Sequence, residues 1–168
     1  MKHLVYLFRS MPVFGLLCAL LVFSSSCEQQ NYEPIYTAAA GGGTLSTYKA
    51  YTLASTDGKN IYGRVVFYKY SSSVTLVEIG LYNTATGASY SSSIFQGKLS
   101  ATSTTSLKTL DTVSGATGAF SSNKYFTINE AGFYDKLSTY DANVKVMQGT
   151  TLVASGNIGV NATPIAQS

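Results

Sequence analysis

From residue 48 onward, apolar and polar side chains alternate with a period of two. That is the spacing of a β-strand with one buried face. Residues 61–70 place Ile61, Val65 and Phe67 on one side beside Gly63, with Tyr62, Arg64 and Tyr68 on the other. After the Ser71-Ser72-Ser73 turn, residues 75–83 direct Val77, Ile79 and Leu81 inward and Glu78 and Tyr82 outward. A strand over residues 48–55 comes before these and ends at Asp57-Gly58, a pair suited to the positive φ of a tight hairpin turn. Further on, Thr86-Gly87 leads into residues 88–97, and a Ser/Thr-rich loop over residues 100–106 leads into an expected strand over 107–113. A turn with Gly115 and Gly118 precedes residues 124–129, where Phe126 and Ile128 face inward. Phe133 and Leu137 are spaced i, i+4, so residues 131–140 are expected to form one or two helical turns. The chain closes with residues 143–147, a Gln148-Gly149 turn and an apolar strand that ends at Gly156 and Gly159.

Seven or eight short strands joined by turns, with no long amphipathic helix between them, predict an all-β antiparallel two-sheet sandwich over residues 48–168, with one short helical segment near 131–140. Such a fold carries no obligatory catalytic face.

The N-terminus follows a different pattern. Lys2, His3 and Arg9 precede an apolar run over residues 11–23, and Ser24-Ser25-Ser26 stand before Cys27. This is the layout of a secretion signal. The run is shorter than the roughly 20 apolar residues a membrane-spanning helix needs. Small residues directly before a cysteine resemble the lipobox of bacterial lipoproteins, in which the cysteine is acylated and becomes the first mature residue. Ser24 stands where a lipobox usually has Leu, as in the looser serine-rich form common in Bacteroidetes-type bacteria. Residues 1–26 are therefore expected to be a lipoprotein signal peptide and Cys27 the lipidation site, with an ordinary cleaved signal or an uncleaved anchor as the competing readings. Residues 27–47, with Gly41-Gly42-Gly43, are expected to form a flexible tether. Glu28 and Glu33 resemble the acidic export signal of surface lipoproteins, or serve as part of a polar spacer.

Composition narrows the chemistry. The formal net charge is +3, but two of the 11 basic residues, Lys2 and Arg9, lie in the leader. That leaves nine basic against eight acidic side chains, which gives no electrostatic footprint for nucleic acid. Both cysteines, Cys18 and Cys27, and the one histidine, His3, precede residue 28. The domain therefore holds no disulfide, no Cys or His metal ligand and no Ser-His or Cys-His nucleophile of its own. Carboxylates are the remaining acid/base groups. Asp135 and Asp141 flank a helix-to-strand corner as a candidate pair, although an Asp at such a corner also serves to bond nearby backbone.

Several segments in order resemble the CHRD domain, the module first named in chordin. They are GRVVFYKY and TLVEIGLYNTATGASY, then LDTVSGATGAF, then FYDKLSTYDANVKVMQGTTLVASGNIGVN. The likeness spans about residues 61–161 and is most specific through Leu137, Tyr140-Asp141-Ala142, Val144, Val146, Leu152-Val153-Ala154 and Gly156-Asn157-Ile158-Gly159. It implies a Greek-key sandwich similar to copper/zinc superoxide dismutase. Many members carry His-Ile-His where this chain has Ser93-Ile94-Phe95, and Val-Asn-Val-His where it has Val144-Lys145-Val146-Met147. Without those imidazoles no metal or other cofactor is expected.

Tyrosine is abundant, 13 in the chain. Tyr62, Tyr68, Tyr70, Tyr82 and Tyr90 are candidates for a ligand-binding face, because tyrosine offers rigid amphipathic area; they equally suit a pleated half-buried surface. Asp111-Thr112-Val113 matches a short pattern resembling an O-glycosylation site of Bacteroidetes-type bacteria. Together these features predict a non-enzymatic cell-envelope lipoprotein, anchored to the outer membrane by its lipid, with a CHRD-like domain as a binding or structural module. The alternative is a carbohydrate- or ligand-capturing protein using the tyrosine face. The expected partners are the membrane and a glycan or cell-surface protein; a degenerate relative of a metal-binding sandwich ranks last. Metabolic labelling with a palmitate analogue is expected to mark the chain and to be lost in Cys27→Ala; label that never appears, or that survives the substitution, refutes the lipoprotein assignment.

Overall fold

The computed structural model describes residues 45–56, 58, 60–101 and 104–166. The signal segment, Cys27, the tether through residue 44, and Asp57 of the expected turn lie outside the described residues. The strands are β1 (Tyr48–Ser55), β2 (Tyr62–Lys69), β3 (Val74–Tyr82), β4 (Ser89–Gln96), β5 (Ser106–Thr109), β6 (Val113–Ser114), β7 (Phe126–Asn129), β8 (Asp141–Gln148) and β9 (Thr151–Gly159). Between β7 and β8 lies a single helical turn, α1 (Phe133–Lys136), continued by a 3-10 turn over Leu137–Thr139. The predicted short helix is therefore present, and Phe133 and Leu137 are its buried residues together with Tyr134.

All strand pairs are antiparallel, in the order β5-β4-β8-β9-β1-β2-β3-β7, with β6 also paired to β4. The all-β expectation holds at this level. Two separate sheets are not distinguished, because one continuous sheet curls into an open half-barrel. The joint is β1. Its residues Tyr48 to Leu53 pair with β2, whereas Ala54 and Ser55 pair with β9. A strand that changes partner near its C-terminal end folds the sheet over on itself.

The inner faces of the two halves share one core. Tyr51, Val65, Phe67, Val77 and Ile79 come from the β1-β2-β3 side, and Tyr90, Ile94, Val144, Val146 and Ile158 from the β4-β8-β9 side. On the outer face of β1 and β2 a second, smaller cluster forms from Ala50, Val66 and Tyr68, covered by Leu45, Tyr48, Leu76 and Tyr125. The C-terminal segment runs beside it, with the Ile165 N–H donating to the Ala50 carbonyl at 2.8 Å.

One expected strand is divided. Residues 107–113 form β5 and β6 rather than a single strand, although both pair with β4. Thr109 lies opposite Ser93 and Val113 opposite Tyr90, so three residues on one side face two on the other. The surplus is accommodated as a bulge, in which the buried Leu110 is bonded through its N–H to the Ser92 carbonyl.

Gly156 sits where β9 passes β1. A Cβ there would run into the Thr52 carbonyl oxygen, so any larger residue must push the two strands apart at the fold of the sheet. Gly80 in β3 is the contrasting case, since a Cβ there meets open space. Gly156→Ala is therefore expected to cost about 1–3 kcal/mol. Gly80→Ala is expected to stay within about 0.5 kcal/mol of the parent. Urea unfolding midpoints measure both, and equal effects at the two sites would contradict the crossing geometry.

Candidate functional site

The five candidate tyrosines do not form one face. Tyr62 and Tyr82 face each other across β2 and β3, 46% and 55% exposed, with ring centroids 5.3 Å apart and planes inclined by 29°. Their backbone is fixed at the strand ends by Asn60 and Asn83, both at positive φ, where the Asn83 Nδ2 donates to the Asn60 carbonyl at 3.0 Å. Asn accepts this left-handed conformation more readily than most residues.

Tyr68 and Tyr90 correct the expectation of a binding role. Tyr68 does lie on the outer face of β2, but the second cluster covers it and leaves it 5% exposed. Its ring meets Tyr125 edge-on at 5.6 Å and its hydroxyl donates to Glu78 Oε2 at 2.9 Å. Tyr90 is fully buried, on the same inward face of β4 as Ile94, and its hydroxyl accepts the Ala85 N–H at 3.1 Å. The signal was legible in the parity: Ser92 and Ile94 stand two and four positions after Tyr90, which fixes one common face. Tyr70 is 56% exposed, but it follows the far end of β2. Eight residues from Tyr62 at about 3.3 Å each, it stands roughly 25 Å from the stacked pair.

What accompanies Tyr62 and Tyr82 is polar. Arg64 lies opposite Gly80 on the same outer face, and Glu78 follows two residues along β3. Because Gly80 carries no side chain, it leaves bare backbone between Tyr82 and Glu78. The result is an exposed aromatic pair beside a shallow gap flanked by a guanidinium and a carboxylate. Sequence reasoning missed Gly80 as part of this surface, since a strand glycine signals a bulge or close approach before it signals a floor.

The other candidates are separated. Asp135 pairs with Lys69 at 2.6 Å, and Asp141 Oδ1 accepts from Asn161 Nδ2 at 2.7 Å, so the two carboxylates are engaged with different partners. In the Asp111-Thr112-Val113 motif Val113 is buried, Asp111 Oδ1 accepts the Thr112 N–H at 2.7 Å, and the Thr112 carbonyl is bonded by Ser121. Ser93, Phe95 and Met147 lie on the outer face of β4 and β8 with Lys145, whose Nζ sits 4.8 Å from the Phe95 ring centre. A hydroxyl, a phenyl ring, a thioether and an ammonium do not make a hard or borderline metal site.

A second feature lies where the half-barrel is open. Lys108 of β5 and Glu130, just after β7, form an ion pair of 2.8 Å across the two sheet edges. The Glu130 carboxyl is held below its ordinary range, chiefly by the hydrogen bond from Lys108. Beneath the pair is a cavity of about 220 Å³ with Ile94, Phe133, Ala142 and Ile158 in its walls.

Comparison with protein-family models, with curated proteins and with solved structures finds no match to this chain.

The Tyr51 hydroxyl is buried and, among the described residues, makes no hydrogen bond of good geometry, with the Gly159 backbone as a polar neighbour. Burial pushes its ionisation up, against the weaker pull of the nearby Gly159 backbone, and burial likewise raises Tyr134 and Tyr140. An unfolded tyrosine ionises near pH ~10. Above that value the unfolded chain gives up protons that the folded chain retains, so stability present at neutral pH is lost as pH rises through the folded-state values. Tyr51→Phe is expected to be neutral or to stabilise by up to about 1 kcal/mol at pH ~7, and to make the loss above pH ~10 shallower. Urea unfolding over that range measures both, and an unchanged alkaline slope would count against Tyr51 as its source.

Proposed function

We propose that this chain is a lipid-anchored protein of the bacterial cell envelope whose β-domain is a non-catalytic binding module, and that the bound partner is a glycan. The observation that carries the proposal is the stacked, half-exposed Tyr62–Tyr82 pair beside the gap at Gly80. An aromatic face attracts the C–H-rich face of a sugar ring through its negative quadrupole. Arg64 lies about one strand repeat along the same surface, within reach of the hydroxyls of a ring seated on the pair, and Glu78, whose Oε2 accepts from Tyr68, lies about two repeats away beyond Gly80. A rigid aromatic anchor with adjacent polar groups is the composition of a binding hot spot.

The anchor half of the proposal rests on the order of basic residues, apolar run, serines and Cys27. The likeness to CHRD domains, and with it a two-sheet Greek-key description in which the β1/β9 joint separates the halves, rests on the ordered motifs and is supported by the shared core between them. A purely structural role is the competing reading.

On a glycan array, saturable binding is expected, with a loss of about tenfold or more in Tyr62→Ala and Tyr82→Ala and little change in Tyr70→Ala. Tyr68→Ala is an unsuitable probe because its ring is part of the second cluster. Absence of binding to any glycan, or binding indifferent to both Tyr62 and Tyr82, would favour the structural role.

A further inference from the structure

We propose that the cavity at the open seam of the half-barrel is a binding site for a small neutral aromatic alcohol, independent of the tyrosine pair. β5 and β7 are the two ends of the strand order and do not pair with each other, and the Lys108–Glu130 ion pair links β5 to the residue after β7. Ile94, Ala142 and Ile158 project from β4, β8 and β9, and Phe133 projects from α1. None of these four side chains has a polar atom. Water needs two or more polar partners to be held well, so the inner cavity favours an apolar occupant.

The size selects the ligand. A dry cavity of about 150 Å³ accepts benzene, and this one is about 220 Å³. The difference corresponds to two or three further heavy atoms at roughly 30 Å³ each. A benzene ring with a short hydroxylated chain fits that allowance.

The rim selects the head group. Glu130 Oε2 is taken by Lys108 Nζ at 2.8 Å, whereas Oε1 accepts from the Tyr140 hydroxyl at a long 3.5 Å. A neutral hydroxyl can donate to Oε1 and accept from Tyr140 or Lys108 while leaving the ion pair intact. A ligand carboxylate must compete with Glu130 for Lys108, and a ligand ammonium must compete with Lys108 for Glu130. Leu107 supplies an independent sign: it lines the same cavity but is 45% exposed, an apolar side chain on an edge strand that no described residue covers fully. A bound ligand's stem would cover it.

The probe is 2-phenylethanol, titrated into the full chain with Ile, Leu and Ala methyls isotopically labelled for NMR. Saturable shifts are expected at Ile94, Ala142, Ile158 and Leu107, with Kd of about millimolar or tighter. Phenylacetate and 2-phenylethylamine are expected to bind more weakly. Ala142→Leu is expected to abolish binding by filling the cavity. Leu107→Ser, at the exposed mouth, is expected to weaken it about threefold or more without disturbing the fold. The proposal is overturned by absence of shifts up to about ten times that Kd. Shifts centred on other methyls, or tighter binding of either charged analogue, would overturn it equally. If Ala142→Leu does not fold, the shift map and Leu107→Ser decide alone.

Discussion

The architecture depends on one crossing. β1 gives six residues to β2 and only two to β9, and the change of partner falls between Leu53 and Ala54. At that place β9 must lie against the β1 backbone, and Gly156 makes the approach possible by presenting no Cβ to the Thr52 carbonyl. If the strands were held further apart, the core that Val153 and Ile158 of β9 share with Tyr51 and Leu53 of β1 would loosen. The core shared by the two halves, and the stacking of α1 against Phe67 through Phe133 at 6.3 Å, both follow from that closeness.

Much of this was legible in the alternation of side chains. Ile61, Val65, Phe67, Val77, Ile79 and Leu81 are all buried as their spacing required. β1 begins and ends where the apolar pattern does. What alternation does not convey is whether an outward face stays in contact with water. Tyr68 follows the rule for its strand and is still buried, because Leu45 and Tyr125, far away in sequence, meet over it. Nor does alternation reveal a bulge: residues 107–113 read as one strand because each half has strand-like residues, and only the register against β4 shows the extra residue.

The candidate surface was partly legible. Tyr62 and Tyr82 were recognisable as outward residues, but their stacking depends on β2–β3 register, which pairs them directly. The face of β4 and β8 has a related lesson. Ser93, Phe95 and Met147, spaced apart in sequence, come together on neighbouring strands around Lys145. The Lys145 ammonium lies over the Phe95 ring, so this face is held by a cation-aromatic contact.

The seam between β5 and β7 also bears on how the molecule behaves in a crowd. An open sheet has two borders with unmatched backbone groups, and a neighbouring copy can add its own strand there to begin a fibre. Here each border strand is only four residues long, and charged residues stand at the meeting point, Lys108 within one and Glu130 at the end of the other. An incoming strand would gain few rungs and would have to separate an ion pair first. Separating that ion pair adds a cost to edge-to-edge pairing at this seam.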